Sequence, residues 1–178
     1  MKILVTGGSG FIGSHIVEAY QDRAEEIRVL DNLRTGYRKN LDGLRHTFIE
    51  ASVTDRAAVR EAVRGVDMIF HMAALVSVPE SMQKPLECVD INVNGLIHVL
   101  EEAADADVRK LVFASSAAVY GDNPSVPKLE SMTPEPKSPY AITKLDGEYY
   151  LDLFHREGRL ETAAIRFFNV FGPRQDPK

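Results

Sequence analysis

Two side chains with complementary chemistry lie four residues apart in the stretch SPYAITKLDGEYY. Tyr140 and Lys144 would share one face of a helix, with their functional ends within reach of a common ligand. An ammonium beside a phenol favours the phenolate and lowers the phenol pKa toward the range of a general base. Tyrosine and lysine also meet at this spacing by chance, so the pair by itself is a weak signal.

A serine pair upstream offers a partner for this chemistry. The stretch VFASSAAVYG places Ser115 and Ser116 at the end of an apolar run that is typical of a buried strand. A hydroxyl there could donate a hydrogen bond to a substrate oxygen while the tyrosine takes its proton. The alternative is a serine pair that only satisfies backbone groups at a strand end. Together with Tyr140 and Lys144, Ser116 predicts a catalytic set for proton transfer.

The stretch TGGSGFIG has glycines at a three-residue spacing directly behind the apolar run Ile3-Leu4-Val5. Gly7 would permit a tight turn, Gly10 would let backbone N–H groups approach a pyrophosphate, and Gly13 would allow the following helix to pack close to the sheet. A turn that merely connects a strand to a helix is the other interpretation. The motif predicts a phosphate-binding turn only if further residues support it.

Asp31 supplies that support, since it lies 18 residues beyond Gly13 at the end of the next predicted strand. A carboxylate at this spacing accepts hydrogen bonds from an adenosine ribose. It would repel a 2′-phosphate, which favours NAD over NADP, although Arg34 is a cation close by. A helix cap or turn residue is the alternative for Asp31.

Short apolar runs alternate with segments of helical period, and this order predicts the elements that position these residues. The predicted strands are Ile3 to Thr6, Ile27 to Asp31, Thr47 to Glu50, Met68 to Met72, Leu111 to Ser115 and Thr162 to Phe167. The predicted helices are Phe11 to Tyr20, Arg56 to Val63 with Asp55 as N-cap, Val89 to Ala104 and Pro139 to Phe154. This α/β order indicates a Rossmann-type doubly wound parallel sheet with helices on both faces.

The two remaining stretches, Asn32 to Leu44 and Asn123 to Pro139, are predicted as long surface loops. Tyr149, Tyr150 and Phe154 are expected in the core. Arg174 is expected to be a solvated tail residue.

Composition narrows the partners. The 178 residues are 44% hydrophobic and 26% charged, which predicts one globular domain. A net charge of −5 argues against general binding to nucleic acid or an anionic membrane, and no apolar run has the length of a membrane span. The single cysteine, Cys88, predicts a reducing, cytoplasmic location. No metal site is expected, and His71 is expected to satisfy a local backbone group.

Seven motifs in order carry a resemblance over the whole chain. They are TGGSGFIG, DNLRTG, HMAA, SVPESMQKPLECVDINVNG, SSAAVYG, SPYAITK and RFFNVFGPRQ. In these motifs the chain resembles the extended short-chain dehydrogenase/reductase family of NAD-dependent epimerase/dehydratase type, and within it the UDP-glucose and UDP-N-acetylglucosamine 4-epimerases.

The resemblance implies a site residue by residue. Ser116, Tyr140 and Lys144 would be catalytic, and the substrate would contact Ser77, Ser116, Tyr140 and Asn169. The implied cofactor-binding residues are Gly7, Gly10, Phe11, Ile12, Gly13, Asp31, Asn32, Arg34, Gly36, Ser52, Val53, Met72, Ala73, Ala74, Asn92, Ser115, Tyr140, Lys144 and Phe168. Asn92 would brace the loops beside the cofactor, and Phe168 would face the nicotinamide. Ser52 replaces an aspartate that meets adenine in many relatives, so that contact is expected to be weaker.

The resemblance implies an NAD-dependent epimerase that inverts C4 of a UDP-hexose through a 4-keto intermediate, with the hydride held transiently by bound NAD. Val76 in VSVPES is more like the branch that takes N-acetylated sugars. Related 4,6-dehydratases and decarboxylases carry carboxylates where this chain has Ala117 and Ala118, which argues against them. A ketoreductase and an NAD-binding regulatory protein without turnover remain as alternatives.

The family also implies a homodimer paired through helices near Val89 to Ala104 and Pro139 to Phe154. Relatives continue into a smaller carboxyl-terminal lobe that closes over the nucleotide sugar. We therefore expect residues 1–178 to be the NAD-binding domain of a truncated enzyme that binds NAD and turns over poorly.

Overall fold

Six parallel strands form one sheet in the computed structural model, which describes residues 1–176. The strands are β1 (Lys2–Thr6), β2 (Glu26–Asp31), β3 (Thr47–Glu50), β4 (Met68–His71), β5 (Lys110–Ser116) and β6 (Glu161–Phe167). Their order is β3-β2-β1-β4-β5-β6. Each predicted strand is present within two residues of its expected ends. The order reverses between β1 and β4, which is the place where a doubly wound sheet opens a crevice for ligands. The predicted Rossmann-type fold is confirmed.

Within the described part of the chain, six α-helices connect the strands. They are α1 (Phe11–Tyr20), α2 (Arg56–Val63), α3 (Val78–Gln83), α4 (Pro85–Val89), α5 (Gly95–Asp105) and α6 (Pro139–Arg156). The prediction missed α3 and α4, which are short and each contain a proline in the first turn, where it costs no hydrogen bond. The predicted helix from Val89 to Ala104 is interrupted, because residues Asp90–Asn94 form a π-helical turn before α5 begins.

The core lies on both faces of the sheet. In β1, Leu4 packs with α2, α5 and α6 residues such as Leu96 and Leu151, whereas Ile3 and Val5 pack on the opposite face with Val17 of α1. All three β1 side chains are fully buried. Burial on both faces explains why the strand is a continuous apolar run rather than an alternating one.

Side-chain caps fix the starts of α2 and α6. The Asp55 carboxylate accepts from the N–H of Ala58 at 3.1 Å, so the predicted N-cap of α2 is confirmed. Ser138 caps α6 by accepting from the N–H of Ala141 at 3.2 Å. This cap places Tyr140 in the first turn of α6.

Two expectations about burial are only partly met. Phe154 is buried and Tyr150 packs against the core, but Tyr149 is exposed, because apolar residues occur on more than one face of α6. The loop after β2 contains a 3₁₀ turn at Arg38–Leu41 whose residues Asn40 and Leu41 are buried, so it is not wholly a surface loop. No helix within residues 1–176 is long and apolar enough to cross a membrane.

Candidate active site

A cleft of about 420 Å³ opens at the carboxyl edge of the sheet, where the strand order reverses. This volume is in the range of cofactor and ligand sites. All of the residues predicted for the site line this cleft except Ser77, Asn92 and Asn169. Motifs that are far apart in the sequence therefore meet around one cavity.

The glycine turn forms one end of the cleft. Gly7 has a φ of 68°, which only glycine adopts readily, and the N–H of Gly10 donates to the Gly7 carbonyl at 3.1 Å. A Cβ on Gly13 would lie 2.2 Å from the same carbonyl oxygen. The turn is thus closed too tightly for any side chain at Gly13, and it leads directly into the N-terminus of α1. A helix N-terminus of this kind attracts phosphate groups.

Asp31 lies beside this turn at the end of β2. Its carboxylate accepts from the N–H of Ser9 at 2.9 Å and from the N–H of Leu33 at 2.8 Å. A carboxylate has about four lone-pair positions, so two remain for ribose hydroxyls. The same group therefore shapes the glycine turn and faces the cleft.

Arg34 lines the cleft, but its charge is already engaged. Its Nη2 donates to Glu80 and to Glu87, each at 2.8 Å. These carboxylates belong to α3 and α4, so two acidic groups of the protein neutralise the guanidinium. The observation argues against a 2′-phosphate partner for Arg34.

The three predicted catalytic residues come from two elements. Ser116 ends β5, and its hydroxyl accepts from the N–H of Ala118 at 3.1 Å. Tyr140 and Lys144 lie one turn apart on α6, and the Lys144 Nζ is 5.7 Å from the centre of the Tyr140 ring. The ammonium also lies 4.8 Å from the centre of the Phe113 ring. Lys144 is almost completely buried.

The titration of these groups differs from the sequence-based expectation. Burial raises the pKa of Tyr140, although a hydrogen bond with Ser116 opposes that shift. Burial also lowers the pKa of Lys144 to about 8. The expected lowering of the phenol pKa by Lys144 is therefore not seen, because the effect of burial on the phenol dominates.

Asn92 lies behind the cleft wall. Its side chain accepts from the N–H of Leu75 at 2.7 Å and donates to the carbonyl of Leu75 at 3.1 Å. It also donates to the Thr143 hydroxyl at 3.0 Å. The residue thus holds the loop after β4 against α6, as the bracing role requires.

The other two predicted residues that do not line the cleft have different surroundings. Ser77 caps α3 by accepting from the N–H of Glu80 at 3.2 Å. Asn169 is exposed just after β6.

Sequence reasoning missed part of the cleft wall, namely Tyr37, Asn40, Arg174 and Asp176. The expectation that Arg174 is a solvated tail residue is wrong. Its guanidinium pairs with Glu18, hydrogen-bonds to His15 at 2.8 Å and donates to the carbonyl of Asn40 at 3.3 Å. The residues that make these contacts lie far apart in the sequence, so no local pattern predicts them.

His71 also differs from its expectation. Its Nδ1 is hydrogen-bonded to the Thr6 hydroxyl at 2.9 Å rather than to a backbone group. The Thr6 oxygen in turn accepts from the N–H of Ala73 at 3.3 Å. Burial, helped by the charge of Lys144, lowers the His71 pKa to about 3, so the ring is neutral. Within residues 1–176 no cluster of three or more metal-ligating side chains is found.

Comparison with known proteins identifies a family and a shared fold. The model of the NAD dependent epimerase/dehydratase family matches residues 3–178. A UDP-glucose 4-epimerase of Lactobacillus helveticus is 39% identical over 99% of this chain and 54% of its own length.

Solved structures agree with these matches. A UDP-N-acetylglucosamine 4-epimerase from Methanobrevibacter ruminantium, in complex with UDP-N-acetylmuramic acid, has a TM-score of 0.94 at 42% identity and covers 98% of this chain and 57% of its own. A Thermus thermophilus UDP-glucose 4-epimerase in complex with NAD has a TM-score of 0.93 at 42% identity, covering 100% and 58%. The chain spans 54% to 58% of the length of the curated relatives that it matches.

Proposed function

The chain belongs to the NAD dependent epimerase/dehydratase family, and on this premise we propose that it is the NAD-binding domain of an NAD-dependent nucleotide-sugar 4-epimerase. One observation carries the proposal. Ser116, Tyr140 and Lys144 line the same cleft as the glycine turn and Asp31. A cofactor seated on the turn would therefore extend toward a proton-transfer group.

The residues of the cleft fit NAD. The glycine turn and the α1 N-terminus would hold the pyrophosphate, since a Cβ on Gly13 would close the space that a backbone cradle needs. Asp31 would accept from the adenosine ribose, and the pairing of Arg34 with two glutamates favours NAD over NADP. NAD bound there would supply hydride transfer to and from C4 of the sugar.

The residues of the chain would move the proton. Tyr140 as phenolate takes the proton of the C4 hydroxyl, and Ser116 donates a hydrogen bond to the same oxygen. Because burial raises the Tyr140 pKa, the phenolate needs a further positive charge in the cleft, and an oxidised nicotinamide carries one. Below a pH of about 8, Lys144 is protonated, and its positive charge would also favour the phenolate.

An elimination or decarboxylation is less consistent with the site. Ala117 and Ala118 form the start of the 3₁₀ turn that follows Ser116, and neither can act as an acid or base. Epimerisation needs no such group, because the hydride and the proton return to the same ketone. Net consumption of NADH would instead identify a ketoreductase. A regulatory protein without turnover would have no use for a phenol and an ammonium on one helix face.

The relatives support a UDP-sugar as substrate. The Methanobrevibacter structure is a complex with a UDP-N-acetyl sugar, and a Thermotoga maritima UDP-glucose 4-epimerase at 39% identity was solved with UDP-glucose. We infer that the substrate is a UDP-hexose or its N-acetyl form, bound next to Phe168 and Asn169.

The test is C4 inversion without added cofactor. The protein is incubated with UDP-glucose, UDP-galactose, their N-acetyl forms and UDP-glucuronate, and inversion is followed by NMR. Tyr140→Phe is expected to lose at least about 100-fold in kcat while it keeps NAD, because only the proton acceptor is removed. Tyr149→Phe is the matched control, since Tyr149 is exposed on the same helix. A Tyr140→Phe variant as active as the parent contradicts the mechanism.

We also infer a homodimer. Apolar side chains lie exposed on α3, α4 and α6, which pack against one another; they are Met82, Leu86, Val89, Ile142, Tyr149 and Leu153. Exposed apolar residues grouped in this way favour a protein interface. A cytoplasmic location is supported by the single cysteine, Cys88, which is free and buried.

A further inference from the structure

Glu148 extends the catalytic face of α6 by one turn. Tyr140, Lys144 and Glu148 follow one another at four-residue spacing, so they share one side of the helix. The Glu148 carboxylate does not face solvent freely, since only 14% of its side chain is exposed. A carboxylate with so little exposure needs polar partners within the protein.

The carboxylate has two such partners. Arg166 donates to it in a bidentate manner, from Nε to Oε1 at 2.9 Å and from Nη2 to Oε2 at 2.7 Å. The Ser115 hydroxyl donates to Oε1 as well. Bidentate arginine–carboxylate pairs with little solvent exposure are geometrically stiff, so the three side chains form a rigid unit.

This unit joins three elements at one level of the sheet. Ser115 of β5 and Arg166 of β6 are directly opposite each other in the parallel register, and the next pair is Ser116 and Phe167. Glu148 on α6 therefore clamps the strand pair one residue before Ser116.

Arg166 reaches past the strand end as well. Its guanidinium lies 4.8 Å from the centre of the Tyr120 ring, in the 3₁₀ turn that follows Ser116. Ser116 is thus held on both sides of its own position, by Ser115 before it and by the turn of Tyr120 after it.

We propose that Glu148 and Arg166 are positioning residues that fix the strand-borne Ser116 relative to the helix-borne Tyr140 and Lys144. The catalytic meaning of this positioning rests on the function proposed above. Because the Ser115–Glu148 hydrogen bond ties β5 to α6, its loss would let the strand and the helix move apart and change the separation of Ser116 from Tyr140. Displacements of about 1 Å cost up to about 100-fold in rate.

The first test measures the geometry without turnover. The ionisation of Tyr140 is followed through the ¹³Cζ shift of labelled tyrosine, assigned with Tyr140→Phe. Since the Ser116 hydrogen bond opposes the rise of the Tyr140 pKa, Glu148→Ala and Ser115→Ala are expected to move that pKa further upward. Glu148→Gln keeps an oxygen acceptor for Ser115 and is expected to restore most of the parent value.

Glu102→Gln is the matched control. Glu102 is also a buried carboxylate paired with arginines, Arg56 and Arg60, but it lies between α2 and α5, away from the cleft. The Glu102→Gln variant is expected to be less stable than the parent, without a change in the Tyr140 titration. A folded Glu148→Ala or Ser115→Ala variant whose Tyr140 titration equals that of the parent overturns the proposal. The proposal is also overturned if Glu102→Gln shifts the Tyr140 titration as much as Glu148→Ala does.

The second test is kinetic. Glu148→Ala is expected to lower kcat between about tenfold and about 100-fold with KM within about twofold, because substrate binding does not involve this unit. An equal loss in Glu148→Gln and Glu148→Ala, or a change confined to KM, counts against positioning. If the parent enzyme at its full length shows no epimerisation, the proposed function fails, whereas the Tyr140 titration still decides the role of Glu148.

Discussion

At the scale of single residues, the site depends on charged groups that have been taken out of water. Lys144 is buried and Tyr140 is half-buried beside the cleft, and burial favours the neutral form of each, because it lowers the pKa of Lys144 and raises that of Tyr140. A positive charge bound in the cleft would favour the Tyr140 phenolate, whereas it would lower the pKa of the Lys144 ammonium further.

The lowered pKa of Lys144 predicts a pH-dependent stability. The Lys144 pKa is about 8 in the folded protein against 10.5 for a free lysine, so the unfolded chain binds more protons between these values. The stability of the parent should rise with pH over that range relative to Lys144→Met, and the variant should be more stable at pH 7, by at most about 3 kcal/mol. Urea unfolding at several pH values measures the difference.

Lys137→Met is the control for this experiment, since Lys137 is an exposed lysine in the loop before α6. It should follow the parent at every pH. A constant difference between Lys144→Met and the parent across the range contradicts a buried, titrating ammonium.

At the scale of elements, close backbone approaches decide the site. The glycine turn brings α1 against the end of β1, and the π-helical turn before α5 presents Asn92 to the loop after β4. Both features deviate from ideal elements. The glycine turn lines the cleft directly, whereas Asn92 lies behind the cleft wall. Such deviations are common where a ligand must approach the backbone.

Gly13→Ala tests the first of these approaches. Its Cβ would lie 2.2 Å from the Gly7 carbonyl oxygen, so the turn must open. We expect NAD affinity to fall by at least about tenfold, or about 1.4 kcal/mol, as measured by calorimetry. Gly65→Ala is the control, because Gly65 has open space around it and a φ of 65°, so it should cost about 1 kcal/mol of stability and leave NAD affinity unchanged. Equal NAD affinity in Gly13→Ala and the parent contradicts the cradle.

At the scale of the whole molecule, the doubly wound sheet brings residues as far apart in the sequence as Gly7 and Asp176 to one crevice. It also leaves an apolar surface exposed on α3, α4 and α6. Leu86 is the most exposed of these side chains, at 84%. An interface of two copies would bury this surface, and helices on one face suit a symmetric pairing.

Leu86→Asp combined with Leu153→Asp tests the homodimer. Two buried charges at the interface should weaken self-association by at least about 100-fold, which shifts the mass measured by analytical ultracentrifugation to that of one chain. Val126→Asp is the control, because Val126 is equally exposed but lies in the loop before α6. A parent that sediments as a monomer at all concentrations refutes the inference directly.

Much of the fold follows from local pattern. The strands, α1, α2 and α6 were predicted closely because each has an apolar period or a cap that acts within a few residues, as Asp55 does for α2. The short helices α3 and α4 were not predicted, since they owe their form to packing on α6 rather than to a period. Tyr149 was placed in the core wrongly, because the period of α6 does not say which of its apolar faces is covered.

The sequence by itself determined the order of strands and helices, the glycine turn and the four-residue spacing of Tyr140 and Lys144, because residue type and spacing are local properties. Only the tertiary structure decided how they are held. The pairing of Arg174 with Glu18, of Arg34 with Glu80 and of Arg166 with Glu148 joins residues 18 to 156 positions apart. Burial, likewise, reversed the expected shift of the Tyr140 pKa. Contacts and desolvation of this kind are properties of the packed chain, and no short stretch of sequence contains them.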